Sequence, residues 1–422
     1  SAGSSGGGGE EKGGDKAPEP EHVTAKRRLK TSLMDITAAL LGRTVSQATR
    51  KDRRATDEEK QEIADLLTKG LSREVRAQVE YLVRPGLVFR LIKHLNLLDL
   101  EAKKAVVQIV TSLVRESQGF RDFICVKFDA QGNIVSGRAD MIDKMVEGFE
   151  VADYSPESGQ CLHTGAMLQV IVRNDPSTAK YVLDNYVWKF LSEFVKIPSF
   201  DVQVLSFDTL RDLLLRATDD GSQTLLRDNA AKFINDQWEP SLAEIRKSIP
   251  GCKPPYNRFF SNLNTLMVSK DHFTVKQTVK LMQNVLYDPR KATFETMLAY
   301  VGDARNLKVA MNLLRDDATS IQFEGFHLFK VFVLNPNCPN IIKCVLARNK
   351  EKLCQYLEGF QAERRAEDPT FAHELASAIA TIGALDLETV VAAAKADKDK
   401  ALAAAEVAAK AEAAAGAEAV AE

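Results

Sequence analysis

From about Thr31 onward apolar residues recur at the i, i+3, i+4 spacing of helices, and no pair of alternating runs is joined by a hairpin turn, so the pattern predicts an all-α chain. Thr56 with Glu59 three residues on forms a capping box that opens an amphipathic run through Ile63, Leu66 and Leu67. One stretch departs from the pattern. Between Phe123 and Ile134 the residues Asp129-Ala130-Gln131-Gly132 predict a long loop or a short hairpin, taken as an insertion.

Several helices end alike, at Arg173-Asn174-Asp175-Pro176, Tyr287-Asp288-Pro289 and Leu334-Asn335-Pro336. Proline cannot continue a helix and disfavours the helical conformation of the residue before it, so each marks a stop. The last two prolines are 47 residues apart in the numbering, close to the ~40–47-residue period of armadillo and HEAT repeats. Equivalent starts precede them at Asp271-His272-Phe273-Thr274 and Thr319-Ser320-Ile321-Gln322, with further copies at Leu98-Asp99-Leu100-Glu101 and Pro198-Ser199-Phe200-Asp201. One such repeat cannot close a core alone, so neighbours stack and the expected architecture is an α-solenoid. A non-repetitive helical bundle is the alternative.

Between Thr274 and Asp288, helical geometry places Val275, Val279, Met282 and Leu286 on one stripe. Phe273, Lys276, Gln277, Lys280 and Asn284 fall opposite. Spacing alone leaves two readings of this second face open, a groove lining and a solvated surface. Because Lys276 and Lys280 point away from the apolar stripe, reversing both charges is expected to leave the fold nearly intact. Phe323, Phe326 and Phe329 recur on the Ile321–Val333 helix, and at least two of them are expected in the core.

Composition sets the ends apart. Residues 1–21 hold seven glycines, too little apolar surface to order, and the disordered tail is placed at 1–30. Residues 392–422 hold seventeen alanines, which places an Ala-rich low-complexity tail at 385–422 that is able to form a solvated helix. The helical repeat domain is then 31–384. The chain starts at Ser1 without Met, as expected of a processed or incomplete chain, and shows no signal-peptide pattern. No apolar run is long enough to span a membrane, so no membrane insertion is expected.

Charge nearly cancels, with 56 Lys and Arg against 58 Asp and Glu, which gives no support to a nucleic-acid partner. The basic clusters Lys26-Arg27-Arg28 and Arg50-Lys51-Asp52-Arg53-Arg54 lie in a polar region and are read as solvated. Six scattered cysteines do not resemble a disulfide framework, and a reducing, cytoplasmic setting is expected. There is no Gly-x-Ser-x-Gly elbow, phosphate loop or His-Glu-x-x-His, so no catalytic residue is assigned. His327 with Cys338, Cys344 and Cys354 lacks the paired Cys-x-x-Cys of zinc sites, and the thiols are read as buried structural groups. No metal or cofactor is expected.

The stretch Leu307–Lys330, continuing through Val331-Phe332-Val333, Asn335-Pro336-Asn337 and Phe360-Gln361, closely resembles the calcium-binding protein 39 family of armadillo-like kinase scaffolds. Asp99–Gln108, Gly165-Ala166-Met167-Leu168 and Ser199-Phe200-Asp201-Val202 match in the same order. The resemblance covers about residues 87–367, with insertions at about 126–137 and 238–255.

It implies a right-handed α-solenoid without catalysis, whose concave face binds a sterile-twenty-type kinase or adaptor pseudokinase and holds it in its active arrangement. Phe200, His272, Lys276 and Lys280 correspond to concave-face residues of the family, and Phe273 and Gln277 share that face. Met311, with Lys308 and Arg348, corresponds to a second region that takes a short Trp-Glu-Phe-like tail of the pseudokinase. Lys276 stands where the family usually has Arg, and an ammonium does not reproduce a planar fork. His272 replaces a tyrosine. The alternatives are a structural component of a larger assembly and, less favoured, a solenoid for nucleic acid or cargo. Only two tryptophans, Trp188 and Trp238, speak against the Trp ladder of import adaptors.

Overall fold

A computed structural model describes residues 21–40, 87–150, 160–215, 223–239, 256–287, 291–400 and 403. The Thr56 capping box and most of the 238–255 stretch lie outside them. Contacts divide the chain into two compact units, the first ending at Phe120 and the second beginning at Arg121.

In the first unit, helix α1 (Glu21–Leu40) packs on α3 (Leu100–Glu116), with α2 (Leu87–Lys93) beside it. Residues 21–30, expected in the disordered tail, are therefore helical. Leu33 of α1 is buried, and the Lys30 ammonium lies 3.4 Å from the Asp99 carboxylate. Asp99 also caps α3 by accepting a bond from the Ala102 amide, as its place in the repeat start predicts.

After α4 (Gln118–Ile124), the second unit begins with a hairpin, β1 (Lys127–Phe128) and β2 (Ile134–Ser136), in the stretch read as an insertion. Gly137 closes it at φ +92°, where a Cβ would meet the Cys125 carbonyl oxygen at 2.0 Å. The unit continues through α5 (Ala139–Glu147), α6 (Gln160–Asn174), α7 (Pro176–Ser192), α8 (Phe200–Leu214) and α9 (Gln223–Asp236). A two-residue pair, β3 (Trp238–Glu239) with β4 (Tyr256–Asn257), flanks the second insertion. Helices α10 (Arg258–Met267), α11 (His272–Leu286), α12 (Lys291–Val301), α13 (Ala304–Leu313) and α14 (Thr319–Val333) follow. Then come α15 (Asn340–Arg348), α16 (Lys350–Glu358), α17 (Ala362–Glu367) and α18 (Pro369–Gly383). A last helix, α19 (Leu387–Lys400), bends 78° from α18 in the region read as the Ala-rich tail and buries Val390. No single described helix is long and apolar enough to cross a membrane.

The second unit is an α-solenoid of armadillo-like repeats. Helices α6, α8, α11, α14 and α18 each pack on the next in that order, although 20 or more residues separate each from its successor. Helices α8, α11 and α14 begin at the repeated starts, directly after Ser199, Asp271 and Ala318. The prolines act as stops in two ways. Leu334-Asn335-Pro336 follows the end of α14, whereas Pro176 opens α7 with Asp175 as its cap. Asp175 also pairs with Lys127 at 2.6 Å, and Thr178 accepts the Val126 amide, so this junction anchors the hairpin.

Aromatic rings fill the space between repeats. Phe149, Phe190 and Phe194 form a triangle with centroids 5.0–5.3 Å apart. Phe326, in α14, meets Phe371 of α18 at 5.2 Å and Phe360 at 6.0 Å. Beside it, Gly325 lets α14 approach α13 closely, since a Cβ there would lie 2.7 Å from that of Leu313.

Candidate functional site

The order α6, α8, α11, α14, α18 brings one face of each helix into a single ladder. In α11 the buried positions include Val275, Val279, Met282 and Leu286, the predicted stripe, together with Thr274, Thr278, Leu281 and Val285. Phe273, Lys276, Gln277 and Lys280 are half-buried and Asn284 is exposed. Polar rungs join the neighbouring helices. Arg173 Nε donates to Asp212 across α6 and α8 at 2.8 Å, and Arg211 of α8 reaches Gln277 of α11. The Lys280 ammonium lies 3.4 Å from Glu324 Oε1 across α11 and α14, and Gln283 donates to the Glu324 carbonyl at 2.6 Å. Lys330 of α14 pairs with Glu374 of α18 at 2.6 Å.

The structure gathers Phe200, His272, Phe273, Lys276, Gln277 and Lys280 on this ladder. Phe200 is 64% exposed, an unusual position for a large aromatic ring, with its centroid 4.9 Å from Phe273. The ring of Phe207 supports Phe273 at 6.1 Å. His272 Nε2 lies 3.3 Å from the Ser320 hydroxyl, so the imidazole spans α11 and α14. Lys276 has no ion-pair partner among the described residues. Lys308 and Met311 lie one turn apart on α13, exposed and half-buried respectively, while the exposed Arg348 ends α15, which packs on α13. These three are outside the ladder helices.

The cap of α11 orients the face. Asp271 accepts from the Phe273 amide on Oδ1 and from the Thr274 amide and hydroxyl on Oδ2, and Gln203 Nε2 of α8 donates to the same Oδ2 at 3.4 Å. Partial burial opposes ionisation, but the bonds from Thr274 and Phe273 outweigh it and hold this carboxyl below its usual value. A depressed carboxyl stabilises the fold above its unfolded pKa, ~3.9, and the contribution is lost as pH falls through the lower folded value. Asp271→Ala is expected to cost about 1 kcal/mol in urea unfolding near neutral pH. The difference from wild type should shrink in acid below the ordinary carboxylate range, and a difference that grew there would contradict the assigned cap.

Several ladder residues have no signal in the local pattern. Arg211 and Gln277 are 66 positions apart, Lys280 and Glu324 are 44 apart, and Glu324 itself occupies a helical position among Phe323, Gly325 and Phe326. Arg364 lies 3.8 Å over the ring of Phe323, which is half-buried, whereas Phe326 and Phe329 are fully buried. His327 joins this network, its Nδ1 3.9 Å from Glu374. Burial and the Lys330 ammonium hold the imidazole below its ordinary pKa despite Glu374 and Glu324. Cys338 and Cys344 are buried and Cys354 is half-buried, with burial raising the Cys338 thiol to about 11. No group of three or more His, Cys, Asp or Glu among the described residues is placed to hold a metal.

A family model described as Mo25-like matches residues 17–243 and 253–386, leaving a gap within the 238–255 stretch and ending before α19. The degreening-related gene dee76 protein of Auxenochlorella protothecoides is 33% identical over 304 residues, which cover 71% of this chain and 79% of that protein. Calcium-binding protein 39-like of Mus musculus is 30% identical over 289 residues, covering 68% and 73%. MO25-like protein 2 of Caenorhabditis elegans is 30% identical over 292 residues, covering 69% and 73%.

Proposed function

The chain belongs to the Mo25-like family, and from that premise we propose that it is a non-enzymatic cytoplasmic scaffold that binds a sterile-twenty-type protein kinase or adaptor pseudokinase across the ladder face. One observation carries the proposal: a continuous face of five helices presents the largely exposed Phe200 ring, 4.9 Å from that of Phe273, and the Lys276 ammonium, which has no ion-pair partner among the described residues. An exposed apolar ring and a cation without an ion-pair partner among the described residues are good anchors for a protein partner. The ladder beneath them is pinned by part-buried polar rungs, so partner binding meets a preorganised surface.

Such a scaffold activates by differential affinity. Moving a kinase from one part in a hundred active to ninety-nine requires ~10⁴-fold tighter binding to the active form, about 5.5 kcal/mol. Binding both forms equally tightly shifts nothing.

Lys308, Met311 and Arg348 are proposed as a second contact, for a short aromatic-acidic tail of the partner. Met311→Ala removes an apolar contact without touching the ladder, so it should weaken binding of a Trp-Glu-Phe-ended peptide about tenfold and leave ladder binding unchanged. Titration of the purified chain with that peptide and with a kinase domain lacking it tests both arms. Equal peptide affinity in the two proteins would remove Met311 from the site.

A further inference from the structure

On the ladder, between α6, α8 and α11, a groove of about 420 Å³ is lined by Arg173, Asp208, Arg211, Asp212, Leu215 and Asn284. Its two guanidinium groups are only partly used. Arg173 spends Nε on Asp212 and Nη2 on Gln169, while Arg211 spends Nη1 on Asp208 and Nη2 on Gln277. Each guanidinium carries five N–H donors, so the groove keeps unspent donors. The two carboxylates differ. Asp212 is buried behind Arg173, with its side chain 5% exposed, whereas the Asp208 side chain is 42% exposed on the rim. One helix away, Lys276 adds a charge without an ion-pair partner among the described residues.

We propose that this groove receives an acidic side chain of the protein partner between Arg173 and Arg211, and that Asp208 occupies Arg211 until the partner's carboxylate displaces it. The identity of the partner rests on the kinase-scaffold proposal; the charge preference does not. A planar guanidinium pairs with a carboxylate through two parallel bonds, whereas Asp208 accepts a single bond, from Arg211 Nη1. The part-buried i, i+3 pair of Arg211 and Asp208, with side chains 33% and 42% exposed, keeps enough contact with solvent to exchange.

The sign of one substitution separates this from its opposite. Asp208→Asn removes the competing anion, so binding of an acidic ligand should tighten about two- to fivefold, the range of an exposed pair. Arg211→Gln should weaken it about tenfold. The full chain and both variants are titrated at low salt with short poly-glutamate and poly-lysine peptides, and separately with a sterile-twenty-type kinase catalytic domain. Circular dichroism checks that each variant is folded. Poly-glutamate preferred over poly-lysine, with the two substitutions moving affinity in opposite directions, supports the proposal. Weakened or unchanged poly-glutamate binding in Asp208→Asn, or no effect of Arg211→Gln, overturns it. If the peptides behave as expected and the kinase does not bind, the groove stands and the kinase proposal falls. If the kinase binds and the peptide pattern is absent, the reverse holds.

Discussion

Phe326→Ala is expected to lower unfolding free energy by about 3–5 kcal/mol, a large part of the 5–15 kcal/mol typical of a folded protein. The ring is fully buried at the meeting of α14 and α18, with Phe371 edge-on at 5.2 Å and Phe360 at 6.0 Å. The cavity cannot close by moving α14, because Gly325 already sets that helix at contact distance from the Leu313 backbone. Phe323→Ala should cost less, since its ring is half-buried and one face is covered only by the Arg364 guanidinium. Urea unfolding of both variants, with the slope unchanged, reads these differences directly. An unaltered midpoint for Phe326→Ala would mean that the ring does not hold two repeats together.

On the ladder face, Lys276→Glu should leave stability within about 0.5 kcal/mol and reduce kinase binding tenfold or more. No ion pair among the described residues is lost, and repulsion is introduced where a partner's acidic surface is proposed to sit. Lys280 behaves differently from the expectation drawn from spacing alone. Its ammonium faces Glu324, whose residue is only 9% exposed and whose carbonyl is held by Gln283. Reversing Lys280 would place two carboxylates together beside the core, so a double reversal mixes loss of stability with loss of binding. Lys280→Gln removes the charge without introducing a second carboxylate beside Glu324 and still carries an N–H donor on a shorter side chain. Lys276→Glu with Lys280→Gln is therefore the informative pair, measured by binding isotherms on protein whose circular dichroism matches wild type. Wild-type affinity in that pair would make this face a solvated surface.

The helix starts near Asp99, Ser199, Asp271 and Thr319 were legible because apolar periodicity acts over a few residues of sequence, with a side-chain cap added at Asp99 and Asp271 only. The same local physics separated Val275, Val279, Met282 and Leu286 from Lys276 and Lys280. What was hidden joins different repeats. No short-range pattern pairs Arg211 with Gln277 or Lys280 with Glu324, because those contacts exist only once helices stack. The N-terminal boundary was hidden for a related reason. Residues 21–30 are too polar to bury a full face, and their helix is held from outside by packing on α3 and by the Lys30–Asp99 pair. The family resemblance placed Phe200 among the candidate residues, and the structure adds what supports it, the Phe273 and Phe207 rings beneath.

The proposed role is to bind a sterile-twenty-type kinase and favour its active conformation. The direct measurement is phosphate transfer by a purified kinase of that type to a peptide substrate, across a titration of the full chain and of the Lys276→Glu, Lys280→Gln variant. A saturable rise in kinase rate with wild type, displaced to at least tenfold higher concentration with the variant, is the expected result. A kinase rate that stays flat while binding is detected, or a rise that is identical for wild type and variant, would contradict it.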